Sequence, residues 1–205
     1  MNKNLFIAFE GIDGSGKSTQ VKLLAERLTK EGHKVYSTFE PTDSDIGKLI
    51  RNIFSHKTQA NHQTIAALFL ADRFHHLLNK TDGLLKKLED GYTVITDRYY
   101  FSSYAYHSVH MPMDWVIDIN APCTKLLRPD LNIYIDISPE ESMNRITKAR
   151  EKAELYETLE NLTNVRNKYM EAFELKKTDE KVFITNGDRK PDLIAKDITT
   201  MILSL

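Results

Sequence analysis

Eight consecutive residues, Gly11-Ile12-Asp13-Gly14-Ser15-Gly16-Lys17-Ser18, satisfy the pattern G-x-x-x-x-G-K-[ST], and Thr19 follows. Glycines let a backbone wrap closely, so that successive N–H groups converge on phosphate oxygens. Lys17 supplies a cation to the outer phosphates of a nucleoside triphosphate, and the Ser18 hydroxyl can ligate Mg²⁺. The surroundings fit. An apolar run from Leu5 to Phe9 reads as a buried strand, and Val21, Leu24, Ala25 and Leu28 then follow at helical spacing until Gly32. The chemistry is therefore that of an ATP or GTP site, with the reaction still unnamed.

Other residues carry chemistry only in company. Asp97-Arg98-Tyr99 follows a third strand, where an acid can hold a Mg²⁺-bound water and an arginine can grip phosphate bidentately; a surface ion pair is the plainer alternative. Phe69 and Arg73 lie one helical turn apart, a flat ring and a forked donor suited to a nucleobase; a core phenylalanine beside a solvated arginine is the alternative. Asp13 stands where a carboxylate repels polyphosphate unless it meets a hydroxyl or a cation. It is either a partner for the sugar of a second substrate or a solvated loop acid. Arg145, Lys148, Arg150 and Lys152 form a cationic cluster that is either a phosphate-closing lid or a solvated helix face. Tyr99, Tyr100, Phe101, Tyr104 and Tyr106 suit core and lining roles equally. Cys123 reads as a packing residue, and the seven histidines show no metal-ligand spacing.

The elements that must position these residues alternate. Strands are expected at Leu5–Phe9, Val35–Phe39, Thr93–Thr96, Leu131–Ile137 and Val182–Thr185. Helices are expected at Asp45–Phe54, His62–Leu78, Thr81–Glu89, Pro139–Arg150, Leu155–Glu174 and Pro191–Leu205. This order argues for an α/β fold, a parallel sheet covered by helices on both faces, with ligands beyond the C-terminal strand ends where Glu10, Glu40 and Asp97 gather. At 205 residues one domain is expected, and 41% hydrophobic residues suffice for its core. Lys plus Arg (28) nearly balances Asp plus Glu (29), which excludes a basic nucleic-acid-coating surface. A single cysteine suits a reducing compartment. No apolar run reaches the roughly 18 residues of a membrane span, and the N-terminal apolar stretch is too short for a signal peptide, so a cytoplasmic protein is expected.

Together these segments resemble the thymidylate kinases, P-loop enzymes that phosphorylate dTMP with ATP. The resemblance runs nearly end to end. It is carried by Phe9-Glu-Gly-Ile-Asp-Gly-Ser-Gly-Lys-Ser-Thr-Gln20, by Glu40-Pro41 with Arg51, by Ala71-Asp-Arg73 after Phe69, by Asp97-Arg-Tyr-Tyr-Phe-Ser-Ser-Tyr-Ala-Tyr106, and by Arg128-Pro-Asp-Leu-Asn-Ile-Tyr-Ile-Asp136. It implies a P-loop NTPase three-layer fold with a five-stranded parallel sheet and a short lid at about 147–155, and a homodimer. ATP would lie on Gly11–Thr19, with Lys17 on its phosphates, Arg145 against adenine, and Mg²⁺ supported by Ser18 and Asp97. dTMP would meet Asp13 at its 3′-hydroxyl, Phe69 and Arg73 at the base, Arg98 at the phosphate, and Tyr106 at the deoxyribose. Glu40, Arg51, Ser102 and His107 would complete that site, and Arg150 would be the lid's catalytic arginine, since the phosphate loop has none.

Three positions depart from the family's pattern. Thr42-Asp43 stands where many bacterial members have Gly-Gly, the lid lacks an Asp-Arg pair, and His107 replaces Gln or Thr beside the base. His107 is expected to make base preference pH-dependent. The rival readings are a P-loop kinase for another nucleotide or nucleoside, and a nucleotide-binding switch without turnover.

Overall fold

Alternate residues of the central strands divide the hydrophobic core into two layers. The computed structural model describes residues 4–149 and 154–203, and among these the elements run β1 (Phe6–Glu10), α1 (Lys17–Lys30), β2 (Val35–Phe39), α2 (Asp45–Phe54), α3 (His62–Leu78), α4 (Leu84–Glu89), β3 (Thr93–Asp97), α5 (Tyr100–His107), α6 (Met113–Leu126), β4 (Leu131–Asp136), α7 (Pro139–Ala149), α8 (Leu159–Lys176), β5 (Val182–Asn186) and α9 (Pro191–Leu203). The sheet order is β2-β3-β1-β4-β5 and every pairing is parallel. Ile7, Phe9, Ile133 and Ile135 pack with Val21, Leu24 and Leu28 of α1 and Ile194, Ile198 and Ile202 of α9. Phe6, Ala8, Val94 and Tyr134 point the other way, into a larger cluster with residues of α2, α3, α5, α6 and α8. Burying each such side chain contributes about 1.5–3 kcal/mol, so the three-layer arrangement follows from the strand pattern.

The chain leaves β1 on one side to form β2 and β3, then crosses over to β4 on the other. The order reverses at β1, and the crevice beyond its C-terminal end lies between the phosphate loop and the end of β3. Phe9 stands opposite Asp97 in the register, so Glu10 and Asp97 finish neighbouring strands.

Local chemistry moves several expected boundaries. Helix α4 begins at Leu84, not Thr81, because the Asn79 side chain accepts from the Thr81 and Asp82 amides and holds a turn there. Helix α8 begins at Leu159, not Leu155, because Thr158 caps it by accepting from the Asn161 amide. Two helices carried no clear helical signal. All eight residues of α5 are buried, so no polar stripe marks a period, and α6 contains Pro122. Arg150, Ser204 and Leu205, expected to end two helices, lie outside the described residues.

Candidate active site

The phosphate loop depends on its glycines. Gly11 has φ 147°, and a Cβ there would lie 2.7 Å from Ser15 Oγ and 2.8 Å from the Ile135 carbonyl oxygen. Gly16, at φ 99°, caps α1 in a left-handed conformation. Lys17, which follows it, is 6% exposed and folds back to donate from Nζ to the Ile12 carbonyl at 2.9 Å. Burial, reinforced by the nearby Arg98 guanidinium, pushes its ammonium down to about 8. Ser18 Oγ donates to Asp97 Oδ2 at 2.5 Å, so Asp97 is tied to the loop and is not a stray surface acid. Helix α7 braces the loop from above. Ser142 Oγ donates to the Asp13 carbonyl at 2.5 Å, and Arg145 pairs with Glu141 and reaches the Gly187 carbonyl at 3.2 Å.

Arg98 occupies the crevice itself. Its φ of 73° is unusual for a residue with a side chain, and such conformations cluster where the surroundings enforce them. Nη1 donates to the Gly11 carbonyl and to Ser102 Oγ; Nη2 donates to Asp13 Oδ1 at 2.6 Å and to the Tyr106 hydroxyl. The guanidinium also lies 4.9 Å from the centre of the Tyr106 ring. The alternative of a solvated Asp13 is thereby overturned. Burial alone would raise its carboxyl, but the Arg98 and Lys17 charges and the Tyr106 hydroxyl outweigh burial and hold it below the usual value. Beneath Arg98 sits Glu10, fully buried, its carboxyl pushed up by burial to about 6.

A pocket of about 550 Å³, partly open to solvent, adjoins Arg98. Asp13, Glu40, Phe69, Arg73, Ser102, Tyr106 and His107, drawn from the loop and three other segments, all line it. Arg73 is not the solvated arginine that the sequence left open: it and Glu40 have side chains 1% exposed. Arg73 Nε and Nη2 both donate to Glu40 Oε2, at 2.9 and 2.6 Å, and Nη1 donates to Ser103 Oγ and Asn120 Oδ1. Four of five guanidinium N–H groups are thus committed, leaving one Nη2–H. His76 holds the other Glu40 oxygen at 3.1 Å. The Phe69 ring is tilted against His107 at 5.2 Å and against Phe54 at 5.8 Å. His107 is buried, and its Nδ1 has no partner among the described residues. Burial and the Arg73 charge push its imidazole down to about 3, so it stays neutral across the physiological range. The expectation of a pH-dependent base preference through His107 is therefore corrected.

Arg51 is not among the lining residues. Its Nη1 donates to the Pro41 and Thr42 carbonyls and its Nη2 to Asp43, so it ties down the loop that carries Glu40. The Thr42-Asp43 departure also finds its explanation here. Thr42 and Ser44 donate to the buried Asp72 carboxylate, at 2.6–2.8 Å, and lock this loop to α3.

The family model for thymidylate kinase matches residues 9–198. The chain belongs to the thymidylate kinase family. The chain is 40% identical over 181 residues to a probable thymidylate kinase of Thermococcus kodakarensis, covering 83% of this chain and 85% of the relative. A probable thymidylate kinase of Thermococcus gammatolerans is 36% identical over 208 residues, 97% of this chain and 95% of the relative. One from Methanococcus aeolicus is 41% identical over 168 residues, 82% and 78% of the two chains.

Thymidylate kinase motifs located Lys17, Ser18, Asp97, Arg98 and the pocket residues in one crevice. They gave no role to Glu10, Ser103, Asn120 or Tyr169, whose polar groups are buried behind the motif residues; Glu10 at a strand end was the only visible trace. Arg150 and residues 151–153 of the expected lid lie outside the described residues. Among those described, no helix is long and apolar enough to cross a membrane.

Proposed function

We propose that this chain transfers the γ-phosphoryl group of ATP to dTMP, giving ADP and dTDP. The observation that carries this reading is the meeting of two sites at one crevice: a complete phosphate loop on β1 and, beside it at the end of β3, a partly buried arginine at the mouth of an aromatic pocket with Arg73 at its back. Lys17 and the amides of Gly11–Thr19 hold the donor phosphates. Arg98 neutralises the acceptor phosphate. Asp13 spends one lone pair of each oxygen on Arg98 and Tyr106, which leaves acceptor capacity for a sugar hydroxyl. Phe69 stacks on the base, and the last Nη2–H of Arg73 meets a base carbonyl. Glu40 and Arg51 act at one remove, holding Arg73 and its loop. Arg145, reaching from α7 to the Gly187 carbonyl, lies against adenine, and Arg150 closes with a lid over about 147–155. Because the attacking atom is already an anionic phosphate oxygen, catalysis is positioning and charge neutralisation, with no general base required.

Mg²⁺ suits Ser18 and Asp97: both present oxygen, and this cation is usually held by one or two protein oxygens alongside phosphate and water. When bound, it shields the charge of the transferring phosphates. The reading extends to one domain over 1–205, cytoplasmic and homodimeric, with a small-molecule acceptor and neither nucleic acid nor membrane as partner.

Coupled ADP-release assays with dTMP, dUMP, dCMP and dAMP test the acceptor. A donor-only guanidinium accepts thymine and uracil and rejects the amino edges of cytosine and adenine. The thymine methyl adds about 1–3 kcal/mol, so dUMP is expected to be a slower but real substrate. With His107 neutral down to about pH 3, the dTMP-to-dUMP ratio of kcat/KM is expected to be flat from pH 6 to 8. Preference for dCMP or dAMP would replace this reading with that of a kinase for another nucleotide.

ATP affinity is expected to fall as pH rises through about 8. There the free enzyme gives up the Lys17 proton, whereas the bound polyanion retains it. The loss approaches about tenfold per pH unit, read by titration calorimetry in buffers of different ionisation enthalpy. Affinity unchanged between pH 7 and 9 would contradict this placement of Lys17.

A further inference from the structure

We propose that Glu10 is a positioning residue for the acceptor side of the reaction, holding Arg98 by its backbone and by its guanidinium at once; this rests on the reading of Arg98 as the acceptor-phosphate group. Glu10 ends β1 with its side chain wholly buried. Its Oε1 accepts the Tyr99 amide at 2.9 Å, and that peptide N–H belongs to the residue immediately after the left-handed Arg98. Its Oε2 accepts Ser102 Oγ at 2.6 Å and the Tyr169 hydroxyl at 3.0 Å. Ser102 Oγ in turn accepts from Arg98 Nη1 at 3.0 Å. One carboxylate therefore fixes the peptide that follows a strained residue and, through one hydroxyl, the charged end of the same residue.

The side-chain type matters. Three donors converge on two oxygens, a demand that an ionised carboxylate meets and an amide does not. Among the described residues nothing forms a direct ion pair with Glu10; its three hydrogen bonds and the nearby Arg98 charge are what offset its burial. Protonation would undo it. A hydrogen on Oε1 would face the Tyr99 N–H, and one on Oε2 would compel Ser102 or Tyr169 to turn.

The charged and titratable groups around Glu10 are Arg98, Lys17 at the start of α1, Tyr169 on α8 and Tyr134 on β4. Lys17 titrates near 8 and both tyrosines are raised, so Glu10, near 6, is the member of this group that changes charge in mildly acid solution.

The test is kcat/KM for dTMP, and separately for ATP, from pH 5 to 8 in the wild-type enzyme, Glu10→Gln and Tyr169→Phe. The dTMP phosphate has its own second ionisation near about pH 6, which all three proteins share. Wild-type kcat/KM for dTMP is expected to fall with about the second power of proton concentration on the acid side, and Glu10→Gln with about the first. At pH 7.5, Glu10→Gln is expected to lose at least about tenfold in kcat/KM for dTMP, with KM for ATP within about twofold. Tyr169→Phe removes one donor to the carboxylate and is expected to move the steeper limb upward by about half a pH unit, leaving the plateau unchanged. If Glu10→Gln does not fold, an unmoved limb in Tyr169→Phe overturns the proposal. So does a Glu10→Gln enzyme with the wild-type profile, or one in which KM for ATP rises by about tenfold or more. A wild-type enzyme inactive on dTMP overturns the functional reading together with this inference, whereas an active wild type with an indifferent Glu10→Gln overturns the inference alone.

Discussion

Lys17→Ala is expected to lower kcat at least about 10²-fold while leaving thermal stability unchanged or raised. The catalytic half rests on the proposed donor site: an ammonium at the start of α1, beside a loop whose glycines bring amides together, would neutralise charge that grows in the transition state. The stability half follows from burial. Lys17 titrates near 8 in the fold against the usual 10.5, so the folded state holds this proton less firmly than the unfolded chain does. That difference costs on the order of 3 kcal/mol. The cost is present in full below pH 8 and is relieved as pH rises from 8 towards 10.5. Alanine removes it and forfeits the bond to the Ile12 carbonyl, so the two changes oppose each other. Coupled turnover assays and melting curves at pH 7 measure both. Near-normal turnover with an intact fold would move the donor site elsewhere.

Arg73→Ala is expected to cost about 3–5 kcal/mol of stability and to abolish useful turnover of dTMP. Glu40 would be left at 1% exposure with only His76 beside it, while Ser103 and Asn120 would lose their donor. Arg73→Lys separates the two effects. It keeps a cation near Glu40 but cannot reach Glu40, Ser103 and Asn120 together while presenting a further N–H to the pocket. Its stability loss is expected to be smaller, and its preference for dTMP over dCMP to disappear. Denaturant midpoints and kcat/KM for the two monophosphates report these outcomes. A loss below about 1 kcal/mol in Arg73→Ala would mean that the Glu40 network relaxes and is not the rigid back wall described.

The phosphate loop and the five strands were legible because their signals are local: a glycine pattern between an apolar run and a helical stripe, and short apolar runs closed by polar residues. The second site was legible only as a resemblance. Phe69 and Arg73 one turn apart are equally compatible with a solvated arginine, and their meeting with Glu40 requires β2 and α3 to pack, which no spacing encodes. Helix α5 escaped for a related reason: burial on every side erases the polar stripe that reveals a helix. The character of His107 was read from its reference chemistry, whereas burial, the Arg73 charge and the neighbouring histidines hold its imidazole in the neutral form. Glu10 stood in plain view beside the glycines, yet its partners Tyr99, Ser102 and Tyr169 lie 89, 92 and 159 residues away.

The adjacency of β1 and β3 works as a ruler. On the proposed reading the donor loop leaves the end of one strand and Arg98, facing the acceptor, leaves the end of the next, and neighbouring strands are held about 4.8 Å apart by main-chain hydrogen bonds that no side chain supplies. On the same reading, substitutions at Phe69 or His107, on helices, are expected to alter which base is welcome. They leave untouched the gap across which a phosphoryl group passes. Substrate preference and reaction type thus reside in different materials, side chains for one and backbone for the other, so the first is free to drift while the second is kept.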